Sequence, residues 1–105
     1  MLFVETPTFT SQVLQLMLPD TYRALQLALL FRPDQGDIIR ESGGIRKLRW
    51  QSKSRGKRGG LRLLYYWDKP NDVIYMLFLF PKAKQVDLSK HQLAVLRRLV
   101  KEELQ

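Results

Sequence analysis

Four basic residues occupy positions from which their side chains could act together on a phosphate group. Lys47 and Arg49 alternate with apolar residues in RKLRWQ, a pattern that predicts a strand with cations on one face only. Arg62 interrupts the apolar segment LRLLYYW, and Lys82 follows the apolar segment VIYMLFLFP. Because a buried charge without a partner is costly, we expect Arg62 to reach a solvated groove or an anion. If the three strands pair in sequence, all four cations meet at one groove.

The overall charge predicts an anionic partner. The chain has 18 Lys and Arg against 10 Asp and Glu, a net charge of +8 and a pI of about 10.1. Nucleic acid, an acidic protein and an anionic membrane surface are the partner classes that fit such a charge. Eight of the basic residues lie between Arg46 and Arg62 with no acidic residue among them. Since local ion pairs cannot neutralise this run, we favour binding of RNA or DNA phosphates.

Other kinds of chemistry have little support in the sequence. The absence of cysteine excludes disulfides, a thiolate nucleophile and a cysteine-ligated metal, and it fits a reducing compartment. No cluster of His, Asp and Glu indicates a metal site, and GKRGG does not match the phosphate-binding loop pattern. We therefore expect neither metal nor cofactor. The apolar run from Val73 to Phe80 is too short to span a bilayer, which needs about 20 residues, so no membrane association is expected.

The elements that position these residues can be predicted from hydrophobic periodicity. We expect a single α+β domain over residues 1–105, with a mostly antiparallel sheet of about four strands and helices against one face. The second helix carries an apolar face that includes Leu25, Leu29 and Phe31. The predicted order is β-α-α-β-β-β-α: an edge strand at Leu2–Thr6, a helical hairpin from about Pro7 to Arg32, strands at Ile45–Ser52, Leu61–Trp67 and Val73–Phe80, and a closing helix capped by Ser89 with Gln92.

The segments GGIRKLR and GKRGGLRLLYY, followed by a strand that ends in lysine and by DLS before the last helix, resemble a known family. They are similar to the HigB branch of the RelE superfamily, the toxins of bacterial type II toxin–antitoxin modules. The resemblance covers nearly the whole chain and implies a RelE-like fold. It also implies a ribosome-dependent mRNA endoribonuclease in the bacterial cytoplasm. The implied partners are the ribosome with A-site mRNA and a HigA-like helix-turn-helix antitoxin, through which alone the toxin meets operator DNA.

By position, the resemblance assigns catalysis to Lys47, Arg49, Arg62 and Lys82. Where RelE has an arginine and a tyrosine after the sheet, this chain has Ala83 and Leu88, so which lysine moves a proton stays open. The candidate RNA- and ribosome-binding residues are mostly basic, with one aromatic residue that shares a strand face with Arg62: Arg46, Lys53, Arg55, Lys57, Arg58, Tyr66 and Lys84.

Two other functions fit the same residues. The basic sheet could serve a non-catalytic RNA- or DNA-binding module, which would bind without cleaving. A ParE-like toxin would share the fold but inhibit DNA gyrase. The match of Arg62 and Lys82 to RelE-like positions favours the ribonuclease over the gyrase inhibitor.

Overall fold

The computed structural model describes residues 1–51, 60–85 and 87–105. Within these ranges the chain forms five strands and three helices. In chain order they are β1 (Leu2–Glu5), α1 (Pro7–Leu16), α2 (Pro19–Phe31), β2 (Asp37–Ile38), β3 (Ile45–Trp50), β4 (Leu61–Asp68), β5 (Val73–Pro81) and α3 (Lys90–Leu99), which continues as a π-helical turn at Val100–Leu104.

The strands form one sheet in the order β1-β5-β4-β3-β2. This order makes β1 an edge strand, as predicted. All neighbouring strands are antiparallel except β1 and β5, which run parallel. The three long strands pair in sequence, which is the condition on which the predicted groove depends. The α+β architecture and element order are confirmed. The sheet has five strands rather than four because β2, only two residues long, pairs with β3 at the other edge.

The sheet separates two apolar cores. Alternate residues of β4 point to opposite faces, and Leu61, Leu63 and Tyr65 pack with the helical hairpin. Leu64 instead belongs to a second core with Val100 and residues of α3. The expectation that all helices cover one face is therefore wrong, since the closing helix packs on the face opposite the hairpin.

The hairpin buries most, but not all, of its predicted apolar face. Leu25 and Leu29 are fully buried against the sheet. Phe31, however, is 83% exposed, which contradicts the prediction. At 100° per residue, Phe31 lies about 200° around the helix from Leu29, on the side turned to solvent.

Helices α1 and α3 begin where the sequence supplies side-chain caps. The Thr6 hydroxyl accepts a hydrogen bond from Phe9 N at 3.0 Å, and Pro7 occupies the first turn of α1. At α3, the Ser89 hydroxyl accepts from Gln92 N at 3.1 Å while Gln92 Oε1 accepts from Ser89 N at 2.9 Å. This capping box confirms the predicted start of the closing helix. Of the helices that the structure describes, none has the length and apolarity needed to cross a membrane.

Candidate active site

Two arginines lie directly opposite each other on neighbouring strands. The register of the antiparallel pair β3 and β4 places Arg49 against Arg62 and Lys47 against Leu64. Side chains at such opposed positions leave the same face with Cβ atoms about 4.5–5.5 Å apart. Like charges in this relation repel each other, so an anion bound between them would relieve the repulsion. The sheet thus carries a local anion-binding geometry on the face shared with α3.

The two arginines differ in how firmly they are held. Arg62 is only 7% exposed, and its Nη1 donates a hydrogen bond to the Leu61 carbonyl at 3.1 Å. Its strand is paired on both sides, to Arg49 in β3 and to Phe80 in β5. Arg49, by contrast, is exposed. The site therefore combines a buried arginine, Arg62, with an exposed one, Arg49.

Lys47 lies two residues from Arg49 on the same face and contacts an acidic residue. Its Nζ is 3.4 Å from Oδ2 of Asp87, in the segment that leads into α3. The other carboxylate oxygen of Asp87 accepts a hydrogen bond from Leu88 N at 2.9 Å, which fixes the side chain towards the sheet. Asp87 is not among the predicted site residues, because nothing in the sequence connects a lone aspartate with a lysine 40 residues away.

Lys82 is tied to the end of β4 by its backbone. Its N–H donates to the Gly60 carbonyl at 3.1 Å, one step beyond the last paired residues of β4 and β5. Lys82 therefore lies two residues beyond Phe80, the partner of Arg62, and its side chain is exposed. Lys84 is also exposed, in the turn that follows.

Arg46 does not join this group. It lies on the opposite sheet face, where its Nη1 donates to the carbonyls of Asp34 at 2.9 Å and Gly36 at 2.8 Å. These bonds brace the connection between α2 and β2, which indicates a structural role. The remaining predicted basic contacts lie outside the described residues: Lys53, Arg55, Lys57 and Arg58.

Tyr66 shares a face with Arg62 but lies apart from it. Four residues separate the two along β4, which corresponds to about 13 Å. The Tyr66 ring packs in the second core, with its centroid 6.3 Å from that of Tyr75 and the rings inclined by 30°. A base stacked on Tyr66 would therefore lie beyond the nucleotide whose phosphate meets Arg62.

The described basic side chains of this face suit phosphate binding. In the described ranges, no three His, Asp or Glu side chains come close enough to hold a metal ion together. Lys47, Arg49 and Arg62 can bind a phosphodiester and stabilise extra negative charge on it.

The sheet order, the hairpin on one face and the closing helix on the other define a RelE-like fold. A solved structure of the E. coli toxin RelE, an arginine-to-alanine double mutant in the free state, is similar to this chain. The TM-score is 0.59 at 12% sequence identity, and the match covers 81% of this chain and 86% of that one. No protein-family model matches the sequence. At this identity the similarity establishes the fold.

Proposed function

We propose that this protein is the toxin of a type II toxin–antitoxin module and cleaves mRNA on the ribosome. The observation that carries the proposal is the opposition of Arg49 and Arg62 on one sheet face, with Lys47 beside them. The similarity of the fold to that of RelE supports it. Cations fixed on paired strands can hold a phosphate in one orientation, which a mobile basic tail cannot do.

The reaction would be a metal-independent transesterification. The ribose 2′-oxygen attacks the adjacent phosphorus, the 2′-O–P bond forms, and the bond from phosphorus to the 5′-oxygen breaks. The products are a 2′,3′-cyclic phosphate and a 5′-hydroxyl. Arg62 is the proposed clamp on the scissile phosphate, because its planar fork suits phosphate oxygens and its position is fixed. Arg49 would stabilise the charge that develops in the transition state.

Two protons must move in this reaction. One leaves the 2′-hydroxyl, and one is delivered to the departing 5′-oxygen. Lys47 and Lys82 are the proposed proton carriers, since the guanidinium groups of Arg49 and Arg62 do not deprotonate in proteins. Alignment of the mRNA by the ribosome would supply the in-line geometry.

The proposed RNA partners follow from the charge of the chain, and the proposed antitoxin from its resemblance to the RelE superfamily. Ribosomal RNA and mRNA match its net charge of +8. A HigA-like antitoxin with a helix-turn-helix domain would restrain the toxin and carry it to operator DNA. The proposed location is the bacterial cytoplasm, where ribosomes and mRNA are found.

Induced expression combined with primer extension on translated mRNA tests the proposal. We expect the wild type to stop growth and to cut within codons only when ribosomes are present. Arg62→Ala should lower the cleavage rate by about 10²- to 10³-fold, the usual effect of removing one charge-stabilising donor. Arg62→Lys should recover only part of it, because an ammonium lacks the bidentate fork. Arg23→Ala, on the far side of α2, is the matched control and should cleave normally.

Other results would point to the alternative functions. Intact mRNA together with inhibited gyrase would replace the proposal with a ParE-like activity. Tight RNA binding by both wild type and Arg23→Ala, with no cleavage by either, would indicate a binding module. Cleavage that is unchanged in Arg62→Ala would remove the assigned site.

A further inference from the structure

A second basic surface lies on the outer side of α3. Lys90, Arg97 and Lys101 project along one helical stripe because their spacings of seven and four residues return to the same side of the helix. Arg98 lies beside the stripe, and Arg40, from the turn that follows β2, faces it across a cleft. We name these five residues the α3 basic surface. All five side chains are exposed.

The surface forms two clefts that share a wall. One has a volume of about 160 Å³ and is lined by Arg40, Lys90 and Arg97, together with Glu41. The other has a volume of about 330 Å³ and is lined by Arg97, Arg98 and Lys101, together with Glu102. Across the two clefts, five cations face two carboxylates. Because both clefts share Arg97 and Ala94, they form one continuous basic track.

The cations of the track form no ion pair with any residue that the structure describes. Among residues 1–51, 60–85 and 87–105, the only ion pairs are Arg23 with Asp20, Lys47 with Asp87, and the terminal amine with Asp72. None of the five side chains of the α3 basic surface donates a hydrogen bond in these ranges. Their charge is therefore available to a ligand.

The track is long enough for several phosphates and begins near the candidate active site. Lys90 and Lys101 are eleven residues apart, which corresponds to about 16 Å of helix. Lys90 follows Asp87, the contact of Lys47, by three residues, or at most about 11 Å of chain. A ligand on this track would thus lie beside β3, where the proposed function places the mRNA.

We propose that the α3 basic surface binds the phosphate backbone of folded ribosomal RNA, separately from the mRNA at the active site. This inference rests on the proposed function and names a second RNA contact for it. The lining favours RNA over an acidic protein, because it is mostly charged, with five cations and two carboxylates beside the apolar residues Leu93 and Ala94. Protein interfaces have apolar cores depleted in charge, whereas interfaces with nucleic acid are polar and strongly positive.

The test measures binding to purified 70S ribosomes with an empty A site, over a range of salt concentrations. We expect Arg97→Gln/Lys101→Gln to bind at least about tenfold more weakly at 0.1 M salt. The slope of log K against log salt should fall by about two, one for each lost phosphate contact. The control is Arg23→Gln/Arg32→Gln, which removes two exposed charges from α2 and the residue that follows it, and should bind like the wild type. With saturating ribosomes, kcat of the α3 double variant should be unchanged.

Each remaining outcome has a defined meaning. Equal binding by the α3 double variant and the wild type, with ribosome-dependent cleavage intact, overturns this inference alone. Equal weakening in the α2 control also overturns it, because the effect would then be one of net charge. If the α3 double variant instead loses affinity for an acidic helical peptide and keeps its ribosome affinity, the surface binds protein. A wild type that neither binds nor cleaves on ribosomes contradicts the proposed function itself.

Discussion

The ammonium group of Lys47 lies 3.4 Å from the carboxylate of Asp87, across 40 residues of sequence. The contact links β3 to the segment that leads into α3. It also means that an acidic side chain occupies the position on Lys47 where a phosphate oxygen would bind. Under the proposed function, RNA would compete with this carboxylate for the ammonium group of Lys47.

Asp87→Asn should therefore strengthen RNA binding. The pair is partly exposed, with side chains 27% and 60% accessible, and such pairs contribute at most about 1 kcal/mol. Its loss should lower KM two- to fivefold with little change in melting temperature. Asp20→Asn is the control, because it also removes an aspartate from an ion pair, the more exposed one with Arg23 on α2. If kcat collapses while KM stays the same, the carboxylate takes part in the chemistry instead.

Tyr65→Phe should destabilise the fold without lowering activity. The fully buried Tyr65 hydroxyl donates to the Pro33 carbonyl at 2.8 Å and accepts from Gly36 N at 2.9 Å. Removing it leaves two backbone groups without this partner, which costs about 1–3 kcal/mol. Denaturant unfolding measures the change. Tyr75→Phe is the control, since its hydroxyl makes no hydrogen bond to the described residues, and an equal loss in both variants would contradict the assignment.

Tyr22 should make the protein less stable in strong base. Burial raises the pKa of Tyr22 above its ordinary value of 10.0, and so does the hydrogen bond that its hydroxyl donates to Glu5 Oε2 at 2.6 Å. As pH rises, the unfolded chain ionises first. The stability that the neutral tyrosine contributes is therefore fully present below about pH 10 and falls as pH rises above it.

Comparing wild type with Tyr22→Phe isolates this effect. The free energy of unfolding, measured with urea from pH 8 to pH 11, should fall less steeply above pH 10 in the variant. The difference between the two slopes should approach the value for one proton released per molecule on unfolding. Some alkaline loss should remain in the variant, because burial also raises the pKa of Tyr65. Identical slopes would show that the Tyr22 hydroxyl ionises as freely in the folded protein as in the unfolded chain.

Gly60→Ala should disturb both stability and cleavage. Gly60 has φ +69°, and a Cβ at this position would lie 2.6 Å from the Trp50 carbonyl oxygen. Such a contact forces the start of β4 to shift, and with it Arg62. We expect a loss of more than about 1 kcal/mol in denaturant unfolding together with slower cleavage.

Gly43→Ala provides the comparison for Gly60→Ala. Gly43 also has positive φ, but an added Cβ would meet only side-chain atoms, the nearest 3.6 Å away on Lys101. Gly43→Ala should therefore lose only the stability that a positive φ costs an alanine, and it should cleave normally. Equal cleavage rates in the two variants would argue against a shift of Arg62.

Alternation along the strands predicted which basic residues of the candidate site share a sheet face. Lys47 and Arg49 were placed on one face from the pattern of RKLRWQ, and the pairing of β3 with β4 brings Arg62 to that face. These predictions held because period-two alternation is a property of the local chain. The capping box at Ser89 held for the same reason.

Features that depend on tertiary structure escaped prediction. The pattern of α3 shows which side of the helix is apolar, but not which face of the sheet it covers. Two residues of β2 are too few to show a period. Arg46 is a basic residue in the same strand as Lys47 and Arg49, so the sequence does not distinguish it from them. Only its hydrogen bonds to the carbonyls of Asp34 and Gly36 show that it braces a loop.

The division of the apolar interior by the sheet has a consequence for how the chain can evolve. Leu25 on the hairpin side and Leu96 on the α3 side belong to different clusters, so substitutions at the two positions should combine nearly additively. A lineage could then accumulate substitutions on the α3 side of the sheet while the core on the hairpin side stays unchanged. Substitutions in one core therefore require no compensating substitutions in the other.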